Sequence, residues 1–137
     1  MSWADSLIKL SGYEVEVLQK RLAEIADRRM AAEMKLVMLE AEVESEAANA
    51  RQHAEANFYH AGFMEGVRVR RAAIQFEIER IMIEEAGARD ALAQAFEEQK
   101  KYEHVAENIR LQKLKVTARV EAAAMDELGL RRAAGGR

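Results

Sequence analysis

The side chains best suited to hold a metal or move a proton are His53, His60 and His104, together with many glutamates. His53 and His60 are seven residues apart, and His104 lies far along the chain. Zinc held on a helix asks for two histidines at i and i+4, so this spacing supplies no ligand set. Neighbouring glutamates are common, but a general acid–base pair needs a concave, water-excluding pocket to shift one carboxyl pKa. No phosphate-binding loop, dinucleotide fingerprint or Ser or Cys nucleophile motif occurs. The pattern predicts a chain that is not an enzyme, with no metal, cofactor or small-molecule substrate.

What remains is chemistry suited to gripping another protein. Tyr59, Phe63, Val67, Arg70 and Ile74 are spaced four, four, three and four, which sets them along one side of a helix. Aromatic anchors beside an arginine are a composition typical of protein interfaces. Val67 and Ile74 also belong to the long apolar stripe described below, so burial competes with docking at those two. Arg68, Arg70 and Arg71 add a local basic cluster, read as a handle for an acidic protein partner. The chain as a whole carries a net charge of −3, which gives no general attraction to nucleic acid or anionic lipid.

The element that positions these residues is a long periodic stretch. In alternating steps of four and three from Val67, the positions are Val67, Arg71, Ile74, Ile78, Ile81, Glu85, Ala88, Leu92, Ala95, Gln99, Tyr102, Ala106, Ile109, Lys113, Val116, Val120, Ala123, Glu127 and Leu130. Most are apolar and the register never slips. A repeat averaging 3.5 residues keeps one narrow stripe facing a partner helix. The same stepping occurs earlier, through Ile8, Ser11, Val15, Leu18, Leu22, Ile25, Arg29, Ala32, Leu36, Leu39, Val43, Glu46 and Ala50. Arg29 is unusual in such a stripe, and reads as a snorkelling or register-fixing position. Composition agrees: 137 residues with no Pro, no Cys, one Trp and a charged fraction of 33% suit long helices better than a thick core.

The segment Asn57 to Gly66 differs from both flanks, with Gly62 and Gly66 and three aromatics. A glycine there with positive φ would reverse the chain. The expected fold is therefore all-α, one coiled-coil domain over 1–137. It has helix 1 over about 3–56, a turn at 57–66, helix 2 over about 67–131 and a frayed tail at 132–137. Ser2 is a suitable N-cap, with Asp5 in the first turn. An apex near Ala61 sets Leu36 beside the Gly87 region and Ile8 beside Lys113 to Val116. About a dozen C-terminal residues then have no cover, including Val120, Ala123, Met125 and Leu128. An apolar stripe left uncovered implies a partner molecule. The N-terminus lacks the pattern of a signal peptide and no run is long enough to span a bilayer, so the expected location is cytoplasmic.

These features resemble the FliJ family. The resemblance rests on the short chain of two long helices and on the turn element Tyr59-His60-Ala61-Gly62-Phe63. It rests also on Glu97-Glu98-Gln99-Lys100-Lys101-Tyr102-Glu103 and the C-terminal Met125-Asp126-Glu127-Leu128. It implies an antiparallel coiled-coil stalk of the flagellar type III export apparatus, working at its cytoplasmic face. Implied partners are an export ATPase of the FliI type, whose hexamer assembly it promotes, an export gate protein of the FlhA type, and export chaperones. Association with the membrane complex would run through these proteins, and the free chain is expected to be a monomer. The family's gate-binding patch maps to Tyr59, Phe63, Val67, Arg70 and Ile74, although Arg70 and Ile74 depart from its usual residues. The ATPase-facing ends map to Ile8, Val120, Ala123, Met125 and Leu128. Two alternatives share the same sequence features: the equivalent stalk of a non-flagellar type III system, and a structural dimeric coiled-coil scaffold.

Overall fold

A computed structural model describes residues 2–135, apart from the side chain of residue 56. The fold is all-α, a helical hairpin of α1 (Trp3–Gln52) and α2 (Ala54–Gly135). The start of α1 follows from its first residues. The Asp5 backbone N–H donates to Ser2 Oγ at 3.3 Å and the Ser2 N–H donates to Asp5 Oδ2 at 3.1 Å. This reciprocal capping box satisfies amides that the helix leaves without partners.

The break falls at His53, not at 57–66 as expected. Asn57 to Gly66 lies inside α2, and no glycine among the described residues has positive φ. Gly62 and Gly66 therefore behave as ordinary helical residues, tolerated because the flanking sequence favours helix strongly enough to absorb about 1 kcal/mol each. The helical hydrogen-bond spacing is kept on both sides of the break, from His53 N to Asn49 O and from Asn57 N to His53 O. The tail differs too: α2 continues through the residues read as frayed as far as Gly135, and residues 136 and 137 lie outside the described part.

The chain's contacts divide into two compact units, Val15–Gln94 and Met1–Glu14 with Ala95–Arg137. In the first, α1 and α2 run antiparallel, as the ion pairs between them show. Arg28 pairs with Glu84, Lys35 with Glu77, Arg71 with Glu40 and Arg70 with Glu42, so one number falls as the other rises. The centre of this unit is the buried cluster of Ile25, Ala32, Ile81 and Ala88, with Leu22 and Ile78 against it. In the register set by those pairs, Ile25 falls opposite Ala88 and Ile81 opposite Ala32. A large residue faces a small one in each layer, which fills the space between closely spaced helices without strain.

In the second unit, Ile8 shares a groove with Ala106 and Ile109, and a Cβ on Gly12 would lie 3.6 Å from Gln99 Nε2. Ala4 and Ser11 are buried there and Ala95 with them. The same register therefore holds within this unit, and it runs out where α1 begins.

Candidate functional site

The stripe read from the sequence is the seam between the helices. Every α1 position from Ile8 to Ala50 on it, and every α2 position from Val67 to Ile109, is buried or half-buried. From Arg110 to Gly135 every residue is exposed, including the stripe residues Val116, Val120, Ala123 and Leu130. The uncovered length is about twice the dozen residues expected, because pairs such as Arg28 with Glu84 shift the register by more than one heptad from that of an apex near Ala61, and α2 continues to Gly135. Of the residues mapped to an ATPase-facing surface, Val120, Ala123, Met125 and Leu128 are exposed on this overhang. Ile8 is half-buried in the groove with Ala106 and Ile109.

The overhang has a defined border. Trp3, itself exposed, flanks a mainly apolar groove on α2 lined by Val105, Ile109, Gln112, Val116 and Thr117. Nearby, Arg110 and Glu107 form an ion pair one turn apart that holds the Glu107 carboxyl below its usual pKa. Hydrogen bonds from Ser2 hold Asp5 low as well, with a smaller contribution from Lys113.

The residues expected at a second docking surface separate on inspection. Tyr59 is 70% exposed and Phe58, one residue earlier, 81%. Their rings meet edge to face with centroids 5.2 Å apart, an arrangement favoured by the ring quadrupoles. Phe58 was not singled out by spacing, because it falls outside the four-residue steps; its signal was only its neighbour's aromatic character. Phe63 is half-buried and lines a groove with Met38, Ala41, Glu42, Ser45 and Glu46 of α1. Val67 has 0% exposure, so it supports this region from beneath and presents no surface to a partner. Ile74 is half-buried on the seam.

The arginine cluster is not a free basic handle. Arg68 is paired with Glu65, Arg70 with Glu42 and Arg71 with Glu40, and the Arg71 guanidinium holds the Glu40 carboxyl below its usual pKa. Arg70 and Arg71 bind the two helices, Arg68 pairs within α2, and all three have their charge offset by a glutamate. Arg29, the charge in the α1 stripe, donates from Nε to Glu85 at 2.6 Å, and Arg89 pairs with the same carboxylate. Of the histidines, His53 marks the helix break, while His60 Nδ1 is buried without a hydrogen-bond partner in a groove with Ala47, Ala50, Arg51 and Asn57. Among the described residues no helix is long and apolar enough to cross a membrane.

The chain matches no family model and no solved structure. It is 57% identical over 136 residues to the flagellar FliJ protein in two strains of Caulobacter vibrioides, covering 98% of this chain and 98% of theirs. The chain belongs to the FliJ family. The seam, the helix break and the overhang described above are therefore features of a FliJ chain, and their surfaces are where its partners must be sought.

Proposed function

We propose that the chain is a non-catalytic component of the flagellar type III protein export apparatus, acting as a coiled-coil stalk for the export ATPase. The carrying observation is the uncovered stripe from Arg110 to Gly135 in a chain of this family. A helix that holds its apolar register beyond its own partner is a binding element, since the exposed stripe is stabilised only when another surface covers it. In this reading Val120, Ala123, Met125 and Leu128, with the α1 N-terminus beside Ile109, enter the FliI-type hexamer and promote its assembly.

A second surface, at Phe58, Tyr59 and Phe63, engages the FlhA-type export gate. Two exposed rings locked edge to face lose little entropy on binding and offer a large apolar area. Arg70 and Ile74 border this surface and Val67 underlies it. Chaperone exchange at the cytoplasmic face of the apparatus completes the role.

The test is ATPase activity of the purified FliI-type enzyme with and without this chain. Stimulation together with formation of a complex is the expected result. Intact, helical protein that neither stimulates nor binds would overturn the reading.

A further inference from the structure

We propose that the overhang of the free chain is covered by a second copy of the same chain, as a two-fold antiparallel coiled coil centred on Val120. This rests on the seam's geometry and not on the proposed function. In the seam, the stripe position Arg29 faces Glu85, and one step along, Ile25 faces Ala88. A charge pair in the stripe is thus followed by a large-against-small layer. The overhang carries the parts to repeat that arrangement with itself. Lys113 and Glu127, its two charged stripe positions, lie equally far from Val120 on either side. In an antiparallel pair centred there, Lys113 of each copy faces Glu127 of the other, as Arg29 faces Glu85. Val116 then faces Ala123 of the second copy, and Val120 faces Val120.

Charge agrees on a coarser scale. Between residues 110 and 119 the charged side chains are Arg110, Lys113, Lys115 and Arg119, with no acid among them. Between 120 and 130 they are Glu121, Asp126 and Glu127, with no base. An antiparallel partner of the same sequence sets the basic half of one copy against the acidic half of the other. The ends also fit. Leu130 of the second copy arrives at the start of α1, where Ala4 already faces Ile109 in the seam, and lies beside the exposed Trp3 and the groove of Val105, Val116 and Thr117. The covered length is about three heptads, whereas the dozen residues expected from sequence would have been too short for a stable pair. One contact opposes the pairing: Arg119 falls opposite its own copy, at the position filled by Arg28 and Glu84 in the seam.

The experiment uses the full chain alone, so its outcome is independent of the ATPase reading. Sedimentation equilibrium over a wide concentration range is expected to show a monomer–dimer equilibrium. Lys113→Glu and Glu127→Lys should each weaken the dimer about tenfold or more, by facing like charges twice across the axis. Mixed one to one, the two variants should form a heterodimer at least as tight as the wild-type dimer, since both facing pairs are then opposite in sign. Arg119→Gln should tighten it. The chain has no cysteine, so Val120→Cys should give a disulfide-linked dimer on mild oxidation, while Ala118→Cys, on the outer face, should not. A wild-type chain that stays monomeric throughout would overturn the proposal, as would a dimer indifferent to these charges or variants that fail to recover on mixing. Circular dichroism of each variant confirms that the helices are intact.

Discussion

Arg29 and Glu85 meet across the α1–α2 seam with Nε and Oε2 2.6 Å apart, in a stripe that is otherwise mostly apolar. Glu85 is one of the most buried polar residues described, at 3% exposure, and Arg89 closes on its other oxygen. A charge this buried is tolerated only where an opposite charge meets it, so the pair marks one register among the many that the repeat allows. The sequence offered two readings of Arg29, a snorkelling side chain or a register-fixing position, and the pairing with Glu85 across the seam favours the second.

Arg29→Leu and Glu85→Leu should each lower the melting temperature by several degrees, because each strands the other charge. The double substitution makes the layer apolar and should melt at or above wild type. Thermal melts by circular dichroism of all four proteins give the coupling. A double variant whose loss equals the sum of the single losses would mean that the two residues do not interact.

The large-against-small layers predict an asymmetric response to core substitutions. Ile25→Ala should cost about 2–5 kcal/mol by leaving a cavity. Ala88→Leu, which adds bulk where Ile25 already fills the layer, should cost about 1–3 kcal/mol. Urea unfolding reads both; if Ala88→Leu stabilises the chain, the layer pairing is different.

Gly62→Ala and Gly66→Ala distinguish the observed break at His53 from a turn at 57–66. Both glycines are helical, and a Cβ on either meets nothing within 4 Å. Each substitution should stabilise by about 0.5–1 kcal/mol through helix propensity. A turn using positive φ would be destabilised instead.

Ion pairs at the surface contribute to the loss of stability in acid. Arg28 holds the Glu84 carboxyl below its usual 4.5, as Arg68 does for Glu65 and Arg110 for Glu107. A depressed folded pKa contributes stability that is present above the unfolded value and lost as pH falls through the folded one. The melting temperature should therefore be flat from neutrality down to the carboxylate range, then fall. All three pairs are exposed, so salt should flatten the fall, and replacing the three glutamates with glutamine should remove a modest part of it, since Glu40 and Asp5 are held low as well.

The two proposed surfaces should separate genetically. Phe58→Ala with Tyr59→Ala should weaken binding to the FlhA-type gate by tenfold or more and leave ATPase stimulation unchanged. Truncation before Val116 should abolish stimulation and leave gate binding intact. Binding assays with each purified partner decide this, and loss of both functions in either variant would argue against two separate sites.

From sequence alone the identity of the buried face was readable almost residue by residue. Steps of four and three from Ile8 and from Val67 named positions that are all buried or half-buried up to Ala50 and Ile109. That follows from helix geometry, because which residues share a face depends only on local spacing. The glycine- and aromatic-rich run at 57–66, conspicuous by composition, was mistaken for the reversal, and the helix passes straight through it.

What the tertiary structure decided is register. A heptad stripe is nearly degenerate under sliding: moving one helix by seven residues buries another set of equally apolar positions. Only pairs across the seam break that degeneracy, such as Arg29 with Glu85, Arg28 with Glu84 and Ile25 against Ala88. Those pairings centre the reversal a few residues past the break at His53, close Arg70 and Arg71 onto glutamates of α1, and bury Val67 beneath the aromatic surface. They also fix where α1 ends along α2, and so leave Arg110 to Gly135 uncovered. One helix's sequence holds the stripe, but only the match between two helices tells where the stripe runs out of cover.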